Sequence, residues 1–184
     1  DLSKGKDKLC ISQGQLVESV ILEAEKAWKD EAQVDNVLLT APTGSGKSLL
    51  FQLPAIYLGK EYKLLTIVIS PLKALIVDQV ESLQDLGYTR VAYASSDLSP
   101  EQKMEVYRQV CEGEIDLFYL SPELLLSYDI KHFIGERRIG LVVVDEAHTV
   151  TTWGKEFRVD YWFLGRYLNI LKQTLGYNFP LFAL

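Results

Sequence analysis

Cysteine is scarce in this chain: 184 residues carry two, Cys10 and Cys111, far apart and at no spacing that a metal site uses. That excludes a disulfide scaffold and fits a reduced, intracellular protein, cytoplasmic or nucleoid if bacterial and nuclear if eukaryotic. Positive charge is not in excess either: 19 Lys and Arg against 25 Asp and Glu leave a net charge of −6. No global basic field marks a nucleic-acid binder, so any nucleic acid must be held locally, by helix N-termini, backbone amides and a few side chains. Long apolar runs are missing, and none approaches the roughly 20 residues of a membrane span. Nothing at the start resembles a signal peptide, so no membrane partner is expected. What is present is a 48% hydrophobic, 24% charged composition, that of a soluble globular chain able to bury a core without staples.

Short β-rich apolar runs alternate with helical patterns. The runs are 36–40, 64–70, 90–94, 115–120, 139–145 and 180–184; the helix candidates are 15–29, 47–58, 73–86, 100–112 and 160–175. Several runs are apolar at consecutive positions, which suits strands covered on both faces. Ser99 and Pro100 supply a start signal, an N-cap followed by proline in the first turn. This alternation predicts an α/β fold: a three-layer domain with a mostly parallel central sheet, flanked by helices joined through right-handed crossovers. Residues 1–13, opening with the lysine-rich "SKGKDK", read as a frayed extension and 14–184 as the domain. The chain opens on Asp1 and stops inside "FPLFAL", so both ends read as cuts from something longer.

In such sheets ligands gather beyond the carboxyl ends of the strands. One strand end carries "APTGSGKS" (Ala41, Pro42, Thr43, Gly44, Ser45, Gly46, Lys47, Ser48), followed by a helix. The glycines permit a path that turns successive N–H groups toward one point, and the helix adds its positive end. Lys47 can reach β- and γ-phosphates, and the Ser48 hydroxyl can ligate Mg²⁺. The strict pattern wants glycine where Ala41 stands. An ordinary Gly-rich turn is the plain alternative, and the order strand, loop, Lys, Ser, helix argues against it.

A nucleoside triphosphate with Mg²⁺ needs an acidic ligand, and Asp145 ends the run "LVVVD". It would hold the ion through water, since Mg²⁺ keeps much of its hydration. Glu146 could then polarise the attacking water for in-line hydrolysis. His148 has two readings: a buried hydrogen-bonded histidine, or a link between the γ-phosphate and a nucleic-acid path. The loop that follows, "TTWGKEFRVDY", is aromatic and partly basic. Trp153 and Phe157 offer faces on which bases can stack, worth ~1–3 kcal/mol per base. Lys155 and Arg158 offer phosphate contacts. The same aromatics, with Tyr161, could equally anchor the loop against the domain.

The order "APTGSGKS", "SPLKALIVDQV", "YLSPELL", "DEAH", "TTWGKEFRVDY" resembles the first RecA-like motor domain of superfamily 2 DNA helicases, and specifically the RecQ-like group. The similarity runs from about Gly14 to Leu184. "DEAH" is shared by many motors; W-G-x-x-F-R-x-x-Y is far more specific and looks like the RecQ aromatic-rich loop, which in that family couples single-stranded DNA binding to ATP hydrolysis. The resemblance implies a P-loop NTPase using ATP and Mg²⁺, and catalytic roles for Lys47, Asp145, Glu146 and His148. It also implies nucleic-acid contacts at Ser70, Pro71, Leu72, Ser121, Pro122, Trp153, Phe157 and Arg158. Read from the residues, Ser70 and Ser121 at strand ends either seat a phosphate on free helix amides or merely cap helices.

There are departures from the family pattern. "ISQGQ" (11–15) keeps Gly14 and Gln15 of the adenine-reading element but lacks its Phe and Arg, and Thr152 and Lys155 stand where Gln and His are frequent. Gln15 is the expected adenine contact. The family's next motif and its second RecA-like domain lie beyond Leu184, so this chain is expected to bind nucleotide and barely hydrolyse it. The leading reading is a 3′–5′ DNA helicase motor acting on single-stranded or tailed DNA. The alternatives are another superfamily 2 translocase or RNA helicase, and a binding module without turnover.

Overall fold

The computed structural model describes residues 11–42, 44–147 and 159–184. Its elements, in chain order, are α1 (Gln13–Trp28), β1 (Val37–Leu38), α2 (Leu49–Tyr62), β2 (Leu65–Ile69), α3 (Lys73–Asp85), β3 (Val91–Ala94) and α4 (Pro100–Cys111). There follow β4 (Leu117–Leu120), α5 (Pro122–Ser127), α6 (Ile130–Ile134), β5 (Ile139–Val144), α7 (Val159–Leu175) and β6 (Leu181–Ala183).

The strands form one sheet in the order β1-β6-β5-β2-β4-β3. Every neighbouring pair is parallel. Each step between sequential strands is therefore a crossover, and helices cover both faces. Alternation along the strands sorts the core into two layers. Leu65, Ile67, Ile69, Phe118, Leu120 and Val142 face α4, α5, α6 and α7, through Tyr107, Leu125, Phe133, Leu168 and their neighbours. Val68, Leu117, Tyr119, Leu141 and Val143 face α1, α2 and α3, through Ala24, Phe51, Leu58, Ile76 and Val80. All five residues of β2 are buried, as expected of a central strand in a three-layer fold.

One register line crosses the sheet. Leu38 pairs with Ala183, Ala183 with Val144, Val144 with Ile69, Ile69 with Leu120, and Leu120 with Ala94. The residues that follow, among them Asp145, Ser70 and Ser121, thus leave the sheet at one level of one rim. This is the rim where α/β sheets place their ligands.

The six expected strands are all present, each trimmed at one or both ends. α4 begins where the sequence signalled: Ser99 caps it, with Pro100 in the first turn and a reciprocal capping box to Gln102. α2 runs to Tyr62 rather than residue 58, straight through Pro54, and ends at Lys63 in a left-handed conformation (φ 58°). No glycine or following proline marks that stop, so the sequence carried no sign of it. α6, of 5 residues, was not anticipated, being too short to show a helical period, whereas α5, of 6 residues, is the helix expected after Ser121 and Pro122.

Candidate nucleotide site

The loop between β1 and α2 turns on two glycines in left-handed backbone, Gly44 at φ 78° and Gly46 at φ 75°. A side chain at Gly44 would meet open space, so only the backbone angle demands glycine there; at Gly46 a Cβ would also lie 3.3 Å from Gln13 Nε2. Ser45 donates its hydroxyl to the Pro42 carbonyl at 2.7 Å, closing the turn. Ser48 precedes α2 with helical backbone and makes no side-chain capping bond. Its hydroxyl is thus not consumed by the helix it starts, as a metal-ligating serine requires. Thr43 lies outside the described residues.

An open cavity of about 400 Å³ sits beside this loop, lined by Thr40, Ala41, Pro42, Lys47, Glu146 and Leu184 among others. Lys47 of the loop and Glu146 at the strand end, 99 positions apart in sequence, therefore line one space at one rim. The sheet order explains this: β5 is flanked by β2 and β6, and β6 lies against β1, whose end launches the loop. The volume is within the range of ordinary small-molecule sites, roughly 300–1,000 Å³.

Asp145 lies behind that wall, 5% exposed. Its Oδ2 accepts from Ser70 Oγ at 3.3 Å and from Gln79 Nε2 at 3.5 Å, and its Oδ1 from the Glu146 backbone N–H at 3.0 Å. Burial pushes its carboxyl above the usual aspartate range, and the Glu146 charge adds to this; the Glu146 amide, Ser70 and the Lys47 charge act in the opposite direction. A buried carboxylate held reluctantly ionised gains most from a cation beside it. Among the described residues no group of three or more His, Cys, Asp and Glu could cage a metal. The donor set fits Mg²⁺, which takes one or two carboxylates and fills its shell with water and phosphate oxygens. Ser48 and Asp145 are the residues that could hold it. Glu146 occupies left-handed backbone at φ 52°, a strained conformation for a non-glycine residue and one that clusters at functional sites.

Two predicted contacts are placed differently from their expected roles. Gln15 spends its side chain on the start of α1: its Oε1 accepts from the Ser12 N–H at 2.9 Å, while Ser12 Oγ accepts from the Gln15 N–H. It is Gln13, two residues earlier, whose Nε2 reaches the phosphate loop and donates to the Ser45 carbonyl at 3.1 Å. Ser70 is 1% exposed and spends its hydroxyl on Asp145, so neither an open phosphate seat nor a helix cap describes it. The cap of α3 falls at Leu72, an exposed residue, and Pro71 is half-buried beside it. Ser121 caps α5, accepting from the Leu124 N–H at 3.2 Å, and Pro122 is buried in its first turn. His148, Trp153, Phe157 and Arg158 lie outside the described residues.

A glycine turn whose lysine shares a cavity with Glu146, with Asp145 buried behind it at one rim of a parallel sheet, fits a nucleotide-binding motor class, and the chain belongs to the DEAD/DEAH box helicase family, whose profile matches residues 23–177. Within it, the chain is 40% identical over 141 residues to the ATP-dependent DNA helicase RecQ of Synechocystis sp., covering 76% of this chain and 28% of that protein. It is 38% identical over 156 residues to the ATP-dependent DNA helicase Q5 of Rattus norvegicus (82% and 15%) and 38% over 134 residues to the helicase SGS1 of Saccharomyces cerevisiae (70% and 9%). The chain thus spans less than a third of each of these relatives. Two solved structures share the fold. They are the DUF1998 helicase MrfA (TM-score 0.67, 19% identity, 99% of this chain and 27% of that one) and a hypothetical ATP-dependent RNA helicase from Sulfolobus tokodaii (0.64, 20%, 97% and 46%). The three-layer architecture is accordingly the RecA-like one. Among the described residues no helix is long and apolar enough to cross a membrane.

Proposed function

We propose that this chain is the nucleotide-binding motor domain of an intracellular, RecQ-like ATP-dependent DNA helicase moving 3′ to 5′. The observation that carries this reading is the shared cavity wall of Lys47 and Glu146 with Asp145 buried behind it. The relatives' printed activity agrees with it.

Lys47 and the loop amides would cradle the ATP phosphates, and Ser48 and Asp145 would hold Mg²⁺, which would neutralise charge on the transferring phosphoryl group. Glu146 orients and polarises the attacking water. Phosphoryl transfer asks for positioning and charge stabilisation rather than covalent chemistry, which is what these groups supply. His148 and the loop bearing Trp153, Phe157 and Arg158, which follow Glu146 directly in sequence, link hydrolysis to bases of single-stranded DNA stacked on the aromatics. Leu72, Pro71, Ser121 and Pro122 border the strand path on the same rim. Residues 14–184 act with a second RecA-like domain of the same protein, which completes the site.

The test is single-stranded-DNA-stimulated ATP hydrolysis by the full-length protein. Lys47→Ala lowers turnover by at least about 100-fold, the scale of one lost transition-state contact. Trp153→Ala keeps basal hydrolysis and loses most of the DNA stimulation, in keeping with ~1–3 kcal/mol of stacking per base. Wild-type turnover in Lys47→Ala sinks the nucleotide assignment; full stimulation in Trp153→Ala sinks the coupling role of the loop.

A further inference from the structure

Behind the cavity a chain of side-chain hydrogen bonds runs over the α2–α3 face of the sheet toward Asp145. Gln52 Nε2, on α2, donates to Tyr119 Oη at 3.4 Å; Tyr119 Oη, on β4, donates to Gln79 Oε1 at 2.9 Å; Gln79 Nε2, on α3, donates to Asp145 Oδ2 at 3.5 Å. Tyr119 is fully buried and Gln52 nearly so.

The polarity of this chain is fixed by chemistry rather than chosen. An ionised carboxylate only accepts, so Gln79 must turn its amide nitrogen to Asp145 and its carbonyl away. That carbonyl can only accept, so the phenol must donate to it. The phenol oxygen is then left to accept from Gln52. Burial pushes the Tyr119 phenol far above its ordinary range, so it remains a donor throughout physiological pH.

We propose that Gln79 is a positioning residue for Asp145, oriented in turn by Tyr119 and Gln52, so that the metal-binding carboxylate is held at one angle by the helix that begins beside Ser70. The proposal rests on the assignment of Asp145 as a Mg²⁺ ligand. Three elements with separate duties meet in it: α2 leaves the phosphate loop, α3 starts on the "SPLK" turn, and β4 ends at Ser121. Two donors on one oxygen, Ser70 and Gln79, aim the Oδ2 lone pairs and leave the rotation of the carboxylate little freedom. Partners of this kind orient metal ligands, and losing one typically costs about 10–100-fold in metal affinity. A merely structural role, satisfying a buried phenol, would show in stability and leave the ion's affinity alone.

The experiment is a Mg²⁺ titration of the full-length protein, read by equilibrium binding of a fluorescent ATP analogue, with the Mg²⁺-free affinity and the melting temperature measured alongside. Gln79→Met keeps the length and bulk of the side chain and raises the Mg²⁺ half-saturation about tenfold, with Mg²⁺-free binding unchanged. Tyr119→Phe removes one hydroxyl and shifts it in the same direction, about threefold, the value of one neutral hydrogen bond. An unchanged half-saturation in both variants overturns the proposal. Should Gln79→Met fail to fold, Tyr119→Phe decides alone. Asp145→Asn and Lys47→Ala are the reference arms. If they bind Mg²⁺ and nucleotide as the wild type does, the site assignment itself falls and this proposal with it. If they fail while the Gln79 and Tyr119 variants behave as wild type, only the positioning role is lost.

Discussion

Asp116 is 2% exposed, at the opposite end of β4 from Ser121, and two arginines share it. Arg90 grips it through Nε and Nη2 at 2.6 and 2.9 Å, and Arg137 approaches at 3.4 Å. The carboxylate leans on Gly59 of α2, where an added Cβ would lie 2.4 Å from its Cγ. Neither position carries a recognisable motif, yet each constrains the other. Gly59→Ala should therefore destabilise the domain by about 1–3 kcal/mol, the usual cost of overpacking. In an Asp116→Gly background, which also removes the Asp116 Cβ at 2.5 Å from the added one, the same change should be neutral or stabilising, because the space is then vacant and alanine favours a helix over glycine by about 1 kcal/mol. Chemical denaturation of the four proteins in the cycle measures it; simple additivity would show that the two residues do not compete for that space. At this scale the sequence was legible only where chemistry is local. The left-handed turn at Gly44 and Gly46 could be read because one contiguous stretch carries it. Gln79 could not, since nothing in "LIVDQV" says that its side chain bonds to Tyr119 and Asp145.

Among the elements, the start of α4 was readable in full, while that of α1 was expected two residues late, at 15. Ser99 and Ser12 each close a reciprocal capping box with the glutamine three residues on, Gln102 and Gln15. The second of these redirected a functional expectation: Gln15 resembles an adenine reader in sequence, and in the fold its amide is engaged at a helix end. Caps are short-range, so their effect is separable from the site. Ser99→Ala should cost about 1 kcal/mol of stability without altering nucleotide affinity. Thermal or urea denaturation beside a nucleotide titration checks both halves, and a change in affinity would mean that α4 communicates with the loop. The short α6 escaped notice for the opposite reason, and α5 was signalled only by Ser121 and Pro122 at its start. Their 5 and 6 residues are held by Phe133, Leu125 and Ile130 packing into the core rather than by a repeating pattern of their own.

The whole molecule is organised by an interleaved sheet in which every connection is a crossover. That order sets β5 between β2 and β6 and so brings Asp145 against Ser70 and opens Glu146 to Lys47. α1 is fixed to the same frame from its far end: Arg138 lies over the rings of Trp28 and Tyr177 at 4.9 and 4.8 Å and donates to the Ala27 carbonyl at 2.8 Å. Gln13, at its near end, thereby meets the phosphate loop. In the site as proposed, the second motor domain contributes the cationic finger that stabilises the transition state. The 184-residue chain alone should consequently bind MgATP and turn it over at least about a hundredfold more slowly than the full-length protein, since such a finger is worth 10³–10⁵ in rate. A steady-state ATPase assay on the two proteins checks this; comparable rates would place the complete catalytic set on this one domain.

By itself the sequence determined the alternation of strands and helices, the rim on which to look, the glycine turn before α2 and the family resemblance. Each depends on hydrophobic period, a cap or a contiguous motif, and so on interactions within a few residues. Tertiary structure alone decided which side chains those strand ends bring together: Ser70 turned inward to a carboxylate 75 positions away, Gln13 rather than Gln15 at the loop, and Gln79 behind Asp145. Strand order is set by how two apolar layers close over a shared sheet. That is a property of the summed burial of the whole chain, which no single stretch of residues encodes.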